Sequence, residues 1–150
     1  MVEGPASTRT VLLDTDVWSH LYVRRSSVNP KLPLWRRSLL GRTLVVATQT
    51  RAELIGGVFM SIWGDERTRA TLQLIDETPV VPVDEPVIQA YARLSADAKR
   101  KGHALYDKVH TGDRWIAASA IAFDIPLLSA DGIFRGAPGL KLLDGEGQNL

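Results

Sequence analysis

Cysteine is absent from the chain, which excludes disulfides, thiol catalysis and zinc–thiolate sites and fits a cytoplasmic protein. Charge of one sign is also lacking. Eighteen Lys and Arg stand against 17 Asp and Glu, a formal net charge of +1, so bulk charge does not mark a stand-alone nucleic-acid binder. Long hydrophobic runs are missing too. The longest uncharged apolar stretch, Trp115 to Phe123, falls short of the roughly 18 residues that a membrane span needs. The opening residues 1–9, MVEGPASTR, have no apolar signal core and read as a disordered lead-in. Internal repeats and low-complexity segments are not seen. What is present is 150 residues, 45% apolar and 23% charged: one domain, with enough chain to bury a sizeable core.

The most informative stretch is Thr10 to Ser19, T-V-L-L-D-T-D-V-W-S. Val11, Leu12 and Leu13 form a continuous apolar run of the kind buried in a parallel sheet. The run stops on Asp14, with Asp16 two residues later. Ligands of open α/β sheets sit outside the carboxyl ends of the strands, so an acid there faces a crevice. Paired carboxylates suit a hard cation such as Mg²⁺ or Mn²⁺. The plainer explanation is that both acids cap the following helix.

Further along, Thr43 to Thr48, Pro79 to Val83, Ile125 to Ser129 and Leu140 to Leu143 read as four more strands, alternating with helical patterns. The expectation is an α/β fold with a mainly parallel sheet. Helical spacing covers Val17 to Arg25, broken by S-S-V-N-P at residues 26–30, and then Leu34 to Leu40, ending at Gly41. Thr48 or Thr50 would cap the next helix, which carries Glu53 near its first turn and ends at Gly64. Gly56-Gly57 inside it implies either close approach of another backbone or a helix break. Asp65 would cap the helix after that, and Asp84, with Pro86 following, the next, closed by Gly102. Val87, Ile88, Tyr91 and Leu94 would line its inner face. Residues 103–112 read as a polar loop. Asp113 stands at the N-terminus of an apolar, small-residue helix, and Asp131 follows the fourth strand. Singly, Glu53 reads as a charge on the helix dipole, Asp113 as an N-cap, Asp131 as turn chemistry and His110 as a loop hydrogen-bonder without a partner. One shared site accounts for the acids more economically.

The combination of V-L-L-D-T-D-V at 11–17, T-R-A-E-L-I-G-G-V at 50–58, G-D-R-W-I-A-A-S-A at 112–120 and P-L-L-S-A-D-G-I-F at 126–134 resembles PIN-domain ribonucleases, most of all the VapC-type toxins of bacterial toxin–antitoxin pairs. A-P-G-L at 137–140 resembles the family's closing stretch. The resemblance implies a nuclease domain over residues 10–144, ahead of a polar tail at 145–150. It further implies a three-layer α/β/α sandwich with a five-stranded sheet, and a cytoplasmic endoribonuclease acting on structured or single-stranded RNA. Its acidic centre would be Asp14, Glu53, Asp113 and Asp131, holding Mg²⁺ (or Mn²⁺), with a metal-activated water as nucleophile. Products would carry a 5′-phosphate and a 3′-hydroxyl. A cognate VapB-type antitoxin and a homodimer are implied as well. Asp14 and Asp113 would be metal ligands, and Glu53 either a ligand or an orienter of water. Arg114 and Ser129 would support the site or contact phosphate. Asp16 departs from the family, which commonly has Asn there; it either joins the site or caps the helix. With the four acids set aside as metal-compensated, 18 basic residues face 13 acidic ones, a surround suited to a polyanion.

Two other readings start from the same residues. V-L-L-D-T-D-V also resembles the first motif of haloacid-dehalogenase-type phosphatases, with Asp14 as nucleophile and Asp16 as general acid/base. That family needs a later G-D-x-x-x-D, and Ala117 stands where the last Asp should be. Alternatively the chain is a non-catalytic module that offers Gly56-Gly57, Phe59, Met60, Ile62 and Trp63 to a partner helix.

Overall fold

The computed structural model describes residues 9–24 and 29–143. The expected lead-in (Arg9 apart), Arg25, the expected break at Ser26 to Val28 and the polar tail lie outside the described residues. In order, the elements are β1 (Thr10–Leu13), α1 (Thr15–Tyr22), α2 (Leu32–Ser38), β2 (Thr43–Ala47), α3 (Thr48–Met60), α4 (Asp65–Glu77), β3 (Val80–Val81), α5 (Glu85–Lys101), α6 (Thr111–Phe123) and β4 (Leu127–Leu128). The expected polar loop before α6 winds into 3₁₀ turns at Ala104–Tyr106 and Lys108–His110, and a third spans Gly132–Phe134.

The sheet is parallel throughout, in the order β3-β2-β1-β4. Val11, Leu12 and Leu13 of β1 are completely buried because their alternate side chains feed two cores. Leu12 points to one side, among Val87, Leu94, Leu105 and Ile116 of the α5–α6 layer. Val11 and Leu13 point to the other, among Val17, Trp18, Trp35, Leu54 and Ile75 of the α1–α4 layer. The result is the expected three-layer α/β/α sandwich.

The fifth strand is shorter than expected. Leu140 to Leu143 contributes a single parallel bridge, Leu127 to Leu142, with Leu127 N–H donating to Lys141 C=O and Leu143 N–H to Leu127 C=O, both at 2.9 Å. Gly136 and Gly139 hold positive φ (71° and 78°), so the chain is still turning just before it reaches the sheet edge.

Several caps differ from expectation. Asp84 does cap α5, accepting from Val87 N–H, and Gly102 closes it in the left-handed region. Ile88 of that helix, expected on the inner face, is exposed. α3 starts at Thr48 and ends at Met60 with no hydroxyl cap; Thr48 Oγ1 donates instead to Val81 C=O, tying α3 to β3. Gly64, not Asp65, is the N-cap position of α4. Gly56 and Gly57 neither break α3 nor admit a close backbone, since a Cβ on either would meet nothing within 4 Å.

Candidate functional site

In the order β3-β2-β1-β4 the chain reverses direction of growth across β1, so the seam between β1 and β4 is the topological switch point. The site is built there. Asp14 ends β1 and caps α1: its Oδ1 accepts from Thr15 N–H at 2.9 Å. Its Oδ2 accepts from Ser129 Oγ, just beyond β4, at 2.7 Å. Ser129 thus steadies the Asp14 carboxyl from across the seam.

Glu53 lies in the second turn of α3, too far along the helix for the dipole role its position in the sequence suggested. One carboxylate oxygen takes a short hydrogen bond from Thr15 Oγ1, and the other accepts from Gln49 Nε2 at 2.9 Å, one helical turn back. Asp113 sits in the first turn of α6, past the N-cap position, which is His110. Its Oδ2 meets His110 Nδ1 at 2.9 Å, giving that histidine the partner the sequence did not reveal. Gly112 allows α6 to enter this tightly: a Cβ there would lie 2.8 Å from Gln49 Nε2 and 3.4 Å from Glu53 Oε2.

Asp113 and Glu53 both act on Asp14. Burial (Asp14 is 8% exposed) lifts the Asp14 carboxyl from 3.8 to about 6. The Ser129 and Thr15 hydrogen bonds pull it down, and the like charges of Asp113 and Glu53 push it up again.

The remaining candidates stand apart from that group. Asp131 borders the site through its backbone, whose N–H donates to Ser129 Oγ at 3.0 Å, while its exposed carboxylate caps the last 3₁₀ turn at Ile133 N–H. Asp16 turns outward, 53% exposed, to Arg24 at 3.3 Å and His20 at 3.7 Å. It neither joins the site nor stands ready as the general acid/base a phosphatase of the dehalogenase type requires. Arg114 is buried, with its terminal nitrogens on Tyr106 C=O and Thr111 Oγ1. It therefore holds the polypeptide before α6 and is not free for phosphate.

Among the described residues, no group of three or more His, Asp or Glu side chains could hold a cation unaided. The donor chemistry still fits a hard divalent ion. Mg²⁺ is commonly held by one or two carboxylates and keeps several waters. A carboxyl raised chiefly by burial, and further by its acidic neighbours, is relieved by a cation. Sequence reasoning missed Thr15, Gln49 and Gly112. Only Gln49, four residues before Glu53 on one helix, carried a signal that could have found it.

A family model for the PIN domain matches residues 11–140, and the chain belongs to that family. It is 29% identical over 104 residues to ribonuclease VapC5 of Mycobacterium tuberculosis, a match covering 68% of this chain and 74% of that one. To toxin FitB of Neisseria gonorrhoeae it is 28% identical over 127 residues, covering 81% and 87%. Among solved structures, VapBC-1 of nontypeable Haemophilus influenzae superposes with a TM-score of 0.70 at 24% identity, over 91% of this chain and 98% of that one; at that identity the likeness speaks to the fold.

Proposed function

We propose that the chain is a divalent-metal-dependent endoribonuclease and the toxin of a toxin–antitoxin pair, active in the cytoplasm on structured or single-stranded RNA. The observation that carries the reading is the gathering of Asp14, Glu53 and Asp113, from β1, α3 and α6, at the switch point of a PIN-domain sheet. Relatives named as a ribonuclease and as a toxin support it.

Asp14 and Asp113 would hold Mg²⁺ or Mn²⁺, with Glu53 as a further ligand or as the group that orients water. Such an ion supplies charge neutralisation at the scissile phosphate and a bound water of lowered pKa. The protein's own work is to fix the acids. Thr15 N–H and Ser129 Oγ occupy one lone pair on each Asp14 oxygen, and Thr15 Oγ1 with Gln49 Nε2 do the same for Glu53. Carboxylates locked in this way do not have to reorganise when charge develops on the phosphate.

The partner reading belongs to the same protein. A groove of about 270 Å³ runs between α1, α3 and α4, lined by Trp18, Gly57, Val58, Trp63 and Arg67 and reaching Thr15 and Glu53. Phe59, Met60 and Ile62 stand exposed beside it. These surfaces, and neighbours described as VapBC and FitAB assemblies, favour a VapB-type antitoxin as occupant, with the toxin itself a homodimer.

The deciding experiment compares the parent with Asp14→Ala for growth arrest on expression and sequences the cleaved RNA ends. Arrest and new 5′ ends with the parent alone support the reading. Equal cleavage by Asp14→Ala defeats it.

A further inference from the structure

Each of the three central carboxylates is gripped by an uncharged donor or an imidazole, and the grip on Asp113 comes from a residue that the resemblance does not include. His110 Nδ1 lies 2.9 Å from Asp113 Oδ2. A carboxylate can only accept, so Nδ1 carries the proton in this pair. Both groups are about three-quarters buried (27% and 29% side-chain exposure), which sets them apart from the exposed i,i+3 pair Arg100–Asp97 on α5.

Resting on the nuclease reading above, we propose that His110 is the positioning residue of Asp113: it holds Oδ2 so that the carboxylate's other oxygen is presented to the divalent cation. Helix capping alone does not explain the contact. In an ordinary capping box the acid at the third helical position reaches back to the backbone N–H of the N-cap residue. Here the acid takes the ring instead, and the N–H of His110 donates to Asp107 C=O at 3.0 Å.

The polypeptide that carries His110 is itself held in place. Arg114, 7% exposed, donates to Tyr106 C=O at 3.1 Å and Thr111 Oγ1 at 3.2 Å, and its guanidinium lies 5.2 Å from the centre of the Tyr91 ring. These contacts bracket residues 106–111 on both sides of His110. Outer partners that orient a ligand typically carry 10- to 100-fold in metal affinity.

The test is calorimetric titration of Mn²⁺ into the full chain for the parent, His110→Ala, His110→Gly and His110→Asn. Gly keeps a favourable N-cap without a donor, whereas Asn keeps the cap and places an amide N–H near the position of Nδ1. Mn²⁺ affinity is expected to fall about 10-fold or more in the Ala and Gly variants and to return to within about 3-fold of the parent in the Asn variant. Should the donorless variants bind Mn²⁺ as tightly as the parent, or should Asn bind as weakly as Ala, the proposal is overturned while the nuclease reading stands. A parent that binds Mn²⁺ no better than Asp14→Asn defeats the nuclease reading itself, and the role of His110 with it.

Discussion

Ser129 Oγ donates to Asp14 Oδ2 at 2.7 Å and accepts from Asp131 N–H at 3.0 Å, so one hydroxyl couples the acid that follows β1 to the turn after β4. Replacing it with Ala leaves Asp14 Oδ2 without its donor. Ser129→Ala is expected to cost about 1.5–3 kcal/mol, as for a hydrogen bond to a charged group, and to raise the Asp14 carboxyl further. Urea denaturation at neutral pH checks the first; the pH-dependence described next, repeated on this variant, checks the second.

Asp14 makes the metal-free protein pH-sensitive in a definite direction. Its carboxyl is raised in the folded chain, from 3.8 to about 6, so its contribution to stability is complete below 3.8 and is lost as pH climbs to about 6. At roughly 1.36 kcal/mol per unit of difference the loss is on the order of 3 kcal/mol. Denaturation in EDTA is expected to show this fall between pH 4 and 6, a plateau above it, and its disappearance in Asp14→Asn. A profile for Asp14→Asn that matches the parent would remove Asp14 as the cause.

Loss of Asp113 removes a carboxylate from the central group without emptying a core site. Asp113→Ala is expected to lower RNA cleavage by about 10²-fold or more, since the ion it would hold supplies several kcal/mol of charge stabilisation, with the fold retained by circular dichroism.

Asp131 should behave differently. Its carboxylate is spent on Ile133 N–H, so Asp131→Asn, which keeps an acceptor for that turn, is expected to cut RNA within about threefold of the parent rate. A loss as deep as that of Asp113→Ala would return Asp131 to the acidic centre.

Gly112 allows fold and activity to be separated. A Cβ there collides with the end of the Gln49 side chain, a flexible group able to swing away. Gly112→Ala is therefore expected to leave stability unchanged or raise it by up to about 1 kcal/mol, through helix propensity, while freeing Glu53 Oε2 and slowing cleavage. Gln49→Ala should slow it similarly, and the double variant no further. Thermal melts and single-turnover cleavage measure the two effects.

Much of this was legible in the residues. Apolar runs ending on acids announced β1 and its crevice, because burial on both faces demands an unbroken run and a strand end demands a polar stop. The alternation of strands and helices pointed to a mainly parallel α/β sheet, and the family resemblance to its three layers. What the sequence hid was contact across the fold. Nothing local distinguishes Asp16, turned out to Arg24, from Asp14, turned in to Ser129. Residues 103–112 look like loop because 3₁₀ turns have no apolar period, and so His110 seemed partnerless. Gly56-Gly57 promised a close approach that the fold makes at Gly112 instead, since only tertiary packing decides which glycine is crowded.

The placement of β1 between β2 and β4 has a consequence during synthesis. The strand that carries Asp14 is translated more than a hundred residues ahead of one of its two neighbours and of the serine that steadies its acid. A nascent chain therefore carries Asp14 without the hydroxyl that steadies it until residues 127–129 have been made.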